Sequence, residues 1–382
     1  MTMQKLKVKN LGPIREADVT LGDLTILVGE QASGKSLFLQ VMKLLLDKTH
    51  ILNTLEKYNY VVNKSPENIL TLYFGEGMAG VWTDETCIAN IDTEICKKNS
   101  LLEKDGVDKE SLFYIPAQRI LSISDGRPKN FMEFDASTPY VLRTFSETLR
   151  LFFQSGLNAD GIVFPAHEEM DTSFDESIFH GGRIVADESS GQKKMRMEID
   201  GLSVPFMTWS AGLKEFMPLL MAFYCLYGHY SAVAPKEKYE YVVLEEPEMG
   251  LHPQAIKTII LQVLELMQMG YKVIISTYSP VFLEFAWAFN LLNNYVEEGK
   301  DEALLEMFDL NNATSAKDKL YGIFNKSVRT YYFARKSGKV HSLDITSLDA
   351  GDDNPDISEW GGISQFAGRV SEIVAKYMSA DE

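Results

Sequence analysis

Leu24-Thr-Ile-Leu-Val-Gly-Glu-Gln-Ala-Ser-Gly-Lys-Ser-Leu-Phe-Leu39 joins a short apolar run to a glycine-framed turn and then to an amphipathic stretch. Leu24 to Val28 predicts a buried strand. Gly29-x-x-x-x-Gly34-Lys35-Ser36 has the spacing of a phosphate-binding loop, and each residue type has a physical job in it. Gly29 and Gly34 let the backbone turn, so that N–H groups along Glu30, Gln31, Ala32, Ser33 and on to Leu37 converge on phosphate oxygens. A helix opening near Lys35 points the positive end of its dipole at the same anion. Lys35 would reach the β- and γ-phosphates, and the Ser36 hydroxyl would ligate Mg²⁺. A chance Gly-x4-Gly-Lys-Ser on a surface loop is the alternative. A strand before, a helix after and apolar flanks on both sides count against it.

Upstream, residues 4–10 alternate polar and apolar and predict an edge strand; Ile14–Leu21 alternates again, so two antiparallel strands feed the buried one. Downstream, Leu37, Phe38, Val41, Met42, Leu44 and Leu45 give a helix a core-facing stripe reaching the low fifties. Asn68–Tyr73 and Thr86–Ile91 read as strand pieces, Lys97–Lys109 as a polar loop, and Leu112–Pro116 as a buried strand. Residues 120–204 look inserted, with helical periodicity over Pro139–Phe153 and two alternating strands at Arg183–Asp187 and Met195–Ile199. Glu240–Leu244 and Tyr271–Ser276 predict buried strands around an amphipathic helix, Pro253–Met269, which starts on proline and stops at Gly270. Helical patterns follow near 281–297 and 301–308, then a strand pair at Arg329–Ala334 and Val340–Ile345 and a terminal helix at Phe366–Tyr377. The division is residues 1–119, an insertion over 120–204, and residues 205–382.

Among 382 residues the formal net charge is −17, with 45% hydrophobic and 24% charged residues. That balance affords a sizeable core. It argues against a general nucleic-acid coat, which needs a basic footprint; nucleic acid remains possible but is not indicated by charge. Lys97-Lys98 and Lys193-Lys194-Met-Arg196 are the local basic clusters. The three cysteines, Cys87, Cys96 and Cys225, show no close paired spacing, so neither a disulfide framework nor a zinc site is indicated. With no signal-peptide core and no membrane-length apolar run, the expectation is a cytoplasmic protein without a membrane partner.

Tyr241-Val-Val-Leu-Glu245-Glu246-Pro-Glu-Met-Gly-Leu-His252-Pro253 delivers two carboxylates at the end of an apolar strand, where an α/β sheet places its ligand. Glu245 would hold Mg²⁺ through water, and Glu246 would orient and polarise the attacking water. Earlier in the chain, Thr208-Trp-Ser210-Ala-Gly212-Leu-Lys-Glu215 is a small-residue turn opening an apolar helix. Its exposed Ser210 and Gly212 N–H groups suit a γ-phosphate held by a second subunit.

In this order the motifs resemble the ABC-type ATPases of the SMC/RecF class, and more closely the small prokaryotic AAA15/AAA21-like and OLD-like ATPases, several of which act in phage defence. The resemblance runs through Lys7–Ile14, the phosphate loop, Tyr114-Ile-Pro-Ala-Gln-Arg119, the signature turn at Ser210–Glu215, Leu244–Glu248 with Leu251-His-Pro253, and Ser276-Thr-Tyr-Ser-Pro280. It implies an α/β P-loop NTPase fold of ABC ATPase type: a mixed sheet core with antiparallel N-terminal strands and a helical and β-hairpin insertion. It also implies ATP and Mg²⁺ as cofactors, and a homodimer or higher homo-oligomer in which each phosphate loop faces the partner's signature turn. Gln118 would be the residue sensing Mg²⁺ and γ-phosphate, or simply a strand cap. Three positions depart from the family pattern. Glu245 stands where many members have Asp, and Ala211 where Ser or Gly is usual. Tyr278 stands where a switch histidine is usual, and a phenol donates a hydrogen bond but carries no positive charge at pH 7. Slow or partner-gated hydrolysis is the consequence.

The leading expectation is an ATP-driven dimeric switch controlling a separate effector, a nuclease or toxin, in anti-phage defence. The interval between phosphate loop and signature lacks the heptads of a DNA-tethering coiled coil. The alternative is a RecF-like repair ATPase that clamps DNA in its ATP-bound dimer. A transporter ATPase is disfavoured by the motif layout.

Overall fold

The computed structural model describes residues 3–62, 64–90, 94–157, 161–165, 172–189, 191–227, 239–310, 317 and 319–378. The strands in chain order are β1 (Lys5–Leu11), β2 (Ile14–Thr20), β3 (Leu24–Val28), β4 (Trp82–Ala89), β5 (Glu94–Ile95), β6 (Leu112–Ile115), β7 (Ile123–Ser124), β8 (Arg127–Pro128), β9 (Ile162–Phe164), β10 (Arg183–Asp187), β11 (Lys194–Ile199), β12 (Leu202–Pro205), β13 (Tyr241–Glu245), β14 (Lys272–Ser276), β15 (Val328–Lys336) and β16 (Lys339–Asp344). The helices used below are α1 (Lys35–Lys57), α2 (Pro66–Phe74), α3 (Tyr140–Leu151), α4 (Ala211–Tyr227), α5 (Pro253–Gln268), α6 (Pro280–Tyr295), α7 (Lys300–Met307) and α8 (Gln365–Met378).

Ten strands form one mixed sheet in the order β5-β4-β1-β2-β16-β15-β3-β14-β13-β6. Strand β3 pairs in parallel with both β14 and β15, and β13 pairs in parallel with β14 and β6. Successive side chains of a strand point to opposite faces, so each parallel strand feeds two cores. Val242 and Leu244 join α4, α5 and α6 on one face, while Tyr241 and Val243 join α1 and α2 on the other. This is the near-continuous apolar pattern of a sheet covered on both sides.

The small sheet β12-β11-β10-β9 spans residues 162–205, one residue past the expected insertion. Its inward residues Val163, Phe164, Ile184 and Met195, with Phe145 and Leu149 of α3, lie in the same apolar cluster as α4 and β13.

Several expectations are corrected. Residues 4–10 do not form an edge: β1 lies between β2 and β4, because the hairpin after Trp82 adds two more strands outside it. Asn68–Tyr73 is helical. Ser65 caps α2 by accepting the Asn68 N–H at 3.2 Å, Pro66 takes its first turn, and Ile69, Leu70, Tyr73 and Phe74 share the buried face. The 97–109 loop contains a 3₁₀ turn, Lys98–Leu102, pinned by buried Leu101. The expectation that the cysteines lack a pairing fails as well. The β4–β5 hairpin sets Ile88 opposite Ile95, so Cys87 and Cys96 form the next cross-strand pair, their sulfurs at bonding distance beside Glu94. Spacing alone did not show this because the hairpin was not foreseen. Cys225 is buried and free. Ile91 and residues 228–238, which lead towards Glu240, lie outside the described residues. Among the described residues, no helix is long and apolar enough to cross a membrane.

A buried ion cluster ties α1 to β6. Lys43 Nζ donates to Asp47 Oδ2 at 3.0 Å, Glu110 Oε1 at 3.1 Å and the Leu112 carbonyl at 2.8 Å, while Asp47 Oδ1 accepts the Ser111 N–H at 2.8 Å. Lys43→Met keeps the volume but leaves buried Asp47 and part-buried Glu110 without their cation. It should lower stability by about 3–5 kcal/mol, read as a drop in the urea midpoint.

Candidate functional site

Four adjacent parallel strands, β3, β14, β13 and β6, end on one side of the sheet, and the loops leaving them carry most of the motifs. The C-terminal ends of parallel strands are where α/β proteins bind ligands.

The phosphate loop leaves β3. Gly29 has φ 150°, and a Cβ there would sit 2.9 Å from the Phe333 carbonyl oxygen. Gly34 has φ 88°, and its Cβ would meet Ile14 at 2.9 Å. Only glycine suits either position. No side chain caps α1 at Gly34, so its first N–H groups are left for an anion. Glu30 and Gln31 are exposed, Ser33 and Leu37 are buried, and Ala32 adopts φ 57° with its carbonyl accepting from Arg335 Nη2 at 2.8 Å.

Lys35 Nζ donates to the Gly29 carbonyl at 2.7 Å, the Glu30 carbonyl at 3.1 Å and Ser33 Oγ at 3.4 Å. Burial lowers its pKa to about 8, against the pull of Glu246, Glu245 and Glu248. Its ammonium lies 4.1 Å from the centroid of the Tyr278 ring. Tyr278 is 37% exposed, so its side chain projects over the phosphate loop and not into the core.

Glu245 ends β13 and is buried. Its Oε2 accepts the Ala117 N–H at 3.2 Å, while Oε1 has no hydrogen-bond partner among the described residues. Burial raises its pKa, and the Ser36 hydroxyl, the Ala117 amide and Tyr114 counter that. A buried carboxylate oxygen with no partner, bordered by a serine hydroxyl, fits a hard divalent cation.

Glu246 is half-buried and has φ 44°. Its N–H donates to the Ser276 carbonyl at 2.8 Å. Burial raises its pKa and Glu248 adds to the rise; Lys35 and Arg119 oppose it. Gln118, just past β6, is exposed and starts the 3₁₀ turn Arg119–Ser122 without a side-chain cap bond.

Ser210 and Gly212 stand at the start of α4. Ser210 Oγ accepts the Leu213 N–H at 3.3 Å, as an N-cap does. A Cβ on Gly212 would sit 2.4 Å from the Gly250 carbonyl oxygen. Among the described residues, no hydrogen bond joins this turn to the phosphate loop of the same chain. The phosphate loop, Glu245, Glu246 and Tyr278 act on one another, Gln118 follows the Ala117 amide bonded to Glu245, and the signature turn meets this site at the turn after β13, through Gly212 and Gly250.

Three residues outside the sequence-derived set hold this cluster. Glu248 Oε1 accepts from Thr277 Oγ1 at 2.6 Å and from the Tyr278 N–H at 2.8 Å, fixing the loop after β14 to the turn after β13. Arg119 donates into that same turn, and Arg335 braces Ala32. Glu248 and Arg119 stood inside motifs already quoted, so adjacency was a signal. Arg335 had none, since its approach depends on where the C-terminal hairpin inserts.

Two family models match the chain: "AAA ATPase domain" over residues 1–112, and "AAA domain, putative AbiEii toxin, Type IV TA system" over residues 169–284. Among solved structures, the SMC head domain from Thermotoga maritima aligns at 12% identity over 90% of this chain and 99% of that one, with a TM-score of 0.40. An Smc head domain with an extended coiled coil bound to the C-terminal domain of ScpA, derived from Pyrococcus furiosus, aligns at 10% identity over 90% and 96%, with a TM-score of 0.38. An ATP binding subunit of an ABC transporter aligns at 16% identity over 85% and 100%, with a TM-score of 0.32. No curated protein matches in sequence. The first matched stretch carries the phosphate loop, and the second carries the signature turn, both strand-end carboxylates and Tyr278. Over these two stretches the chain is similar to AAA ATPase domains, a nucleotide-binding family.

Because any Cβ on Gly212 meets the Gly250 backbone, Gly212→Ala disturbs the chain before any partner is involved. It should cost roughly 1–3 kcal/mol, the usual range for overpacking, read as a lowered thermal midpoint with Lys35 chemistry left intact.

Proposed function

We propose that this chain binds and hydrolyses Mg·ATP as a dimeric switch that controls a separate effector. The observation that carries the ATP site is the Gly29–Ser36 loop, with Lys35 bonded across it and Ser36 bordering buried Glu245, whose Oε1 has no hydrogen-bond partner among the described residues. Ser36 and Glu245 would hold Mg²⁺, with Gln118 reaching toward it, and the metal would neutralise charge on the phosphates. The N–H groups from Glu30 to Leu37 would cradle the β- and γ-phosphates. Lys35 would exchange the Gly29 and Glu30 carbonyls for phosphate oxygens, a charge-assisted bond in place of a neutral acceptor. Glu246, its pKa raised by burial, would accept a proton from the attacking water.

A sandwich in which Ser210 and Gly212 meet the partner's γ-phosphate rests on the resemblance to ABC-type ATPases. Control of a nuclease or toxin in anti-phage defence rests on the resemblance to the small prokaryotic ATPases. The DNA-clamp alternative finds no support in charge. Lys193, Lys194 and Arg196 pair with Glu188, Asp125 and Asp187, Lys98 pairs with Glu67, and Lys5, Lys7 and Lys9 of β1 pair with Asp18 and Glu16. These cations are already neutralised, which leaves little to release counterions from a phosphate backbone.

Lys35→Ala should weaken ATP binding by about a hundredfold, the scale of a charged hydrogen bond of 1.5–3 kcal/mol, with the fold retained; calorimetry and thermal melting read both. Normal affinity in a folded variant sinks the phosphate-loop assignment. Glu246→Gln should keep Mg·ATP bound and slow hydrolysis by roughly 10²–10⁴-fold, so that ATP-bound dimers accumulate in light scattering. For Tyr278, slow basal turnover is the proposed consequence of replacing a switch cation with a phenol. Tyr278→Phe keeps the ring over Lys35 and should alter turnover little. Tyr278→His should raise it by about tenfold or more. Loss of turnover in Tyr278→Phe would make the phenol a catalytic donor instead.

A further inference from the structure

Arg119 follows Gln118 and has no exposed surface. Its guanidinium joins two segments that are far apart in sequence. Nε donates to the Glu215 carbonyl of α4 at 3.0 Å. Nη1 donates to the Glu245 carbonyl at 3.1 Å and the Glu246 carbonyl at 3.2 Å; Nη2 donates to Glu246 at 3.3 Å and Pro247 at 3.4 Å. One side chain therefore grips the turn after β13 and the helix that opens on the signature.

Glu246 has reason to need this grip. At φ 44° it occupies the left-handed region, which disfavours a side chain with a Cβ by roughly 1–2 kcal/mol. Such a residue persists when its surroundings over-determine it. Here its N–H is tied to Ser276 and its carbonyl to both terminal nitrogens of Arg119. The same two segments meet again at Gly212 and Gly250, where the backbones are too close to admit a methyl group. Two contacts, one polar and one steric, leave little slack between the signature turn and the turn bearing Glu246.

We propose that Arg119 is a positioning residue: it holds Glu246 in its left-handed conformation and locks residues 246–250 to α4. Contact of Ser210 and Gly212 with a partner's nucleotide is thereby transmitted to Glu246 of the same chain. This rests on the ATP hydrolysis and sandwich proposed above. Arginine is required because its planar fork presents donors in three directions at once, whereas lysine offers a single ammonium that cannot span both segments.

The test compares Arg119→Lys with the native chain. Arg119→Lys should fold and bind ATP within about threefold of native, because no phosphate contact is removed. Its kcat should fall by roughly 10- to 100-fold with KM changed less than threefold, the scale expected when a catalytic group is misplaced by about 1 Å. A kcat within twofold of native in the folded variant overturns the proposal, as does a KM increase that accounts for the whole loss. Amide exchange on the native full-length chain gives a readout independent of any substitution. Adding Mg²⁺ and a non-hydrolysable ATP analogue should protect peptides covering 210–215 and 246–250 together, and in Arg119→Lys the two should respond separately. Protection of one peptide without the other in the native chain overturns the coupling, even if Arg119→Lys does not fold. A native chain that binds ATP but never hydrolyses it overturns the underlying function instead, so the two failures are distinguishable.

Discussion

Four carboxylates, Glu215, Glu245, Glu246 and Glu248, share the partly buried region where the parallel strands end, and two cations, Lys35 and Arg119, stand against them. Burial raises the pKa of Glu215, Glu245 and Glu246, as expected where desolvation disfavours a charged carboxyl. Such a concentration of negative charge destabilises a folded chain unless hydrogen bonds and counter-charges hold it. The local structure supplies those bonds. Glu248 takes a hydroxyl and an amide from the loop after β14, Glu245 takes the Ala117 amide, and Arg119 fills its donors with four carbonyls from two segments. One oxygen each on Glu215, Glu245 and Glu248 has no hydrogen-bond partner among the described residues. A divalent cation held as proposed beside Glu245 would offset that concentration of negative charge, and its binding would then stabilise the folded site.

The parts of the fold legible in the sequence were those decided by neighbours along the chain. The strand before the phosphate loop, the glycines within it and α5 with its proline start and glycine stop all depend on contacts a few residues away. Glu245 and Glu246 were legible because an apolar strand ended in them. The misread elements depended on competition between similar local signals. Ile69, Leu70, Tyr73 and Phe74 fit either period over so short a run, and the Ser65-Pro66 cap decided for helix. Cys87 and Cys96 came together only through a hairpin whose second strand is two residues long. The position of β1 inside the sheet required knowing that β4 pairs outside it, a non-local fact.

The strand pair near the C-terminus shows the same limit from the other side. A strand pair is legible in the sequence at Arg329–Ala334 and Val340–Ile345, observed at Val328–Lys336 and Lys339–Asp344, but its place in the sheet is not. It enters the middle of the sheet: β15 pairs with β3 and β16 pairs with β2, so the N-terminal antiparallel strands reach the phosphate-loop strand only through it. That insertion has local consequences at the site. The Phe333 carbonyl lies where a Cβ on Gly29 would fall, the Phe333 ring packs edge-on against Phe38 of α1, and Arg335 holds the Ala32 carbonyl.

The phosphate loop is therefore shaped from two directions. Its own glycines permit the turn, and a strand some three hundred residues later sets how closely the turn is pressed. A loop with only the first constraint would sample many conformations, and ordering it would cost binding energy. With β15 against Gly29, Arg335 on Ala32 and Lys35 bonded across the loop, much of that ordering is already done by folding. Glu248 extends the bracing to the far wall, because the bonds that fix Thr277 and Tyr278 also set where the Tyr278 ring meets Lys35. The Tyr278 loop, the Glu246 turn and α4 are thus linked through Glu248 and Arg119 without any covalent neighbour in common. A displacement in any one of them must strain a charged hydrogen bond in another.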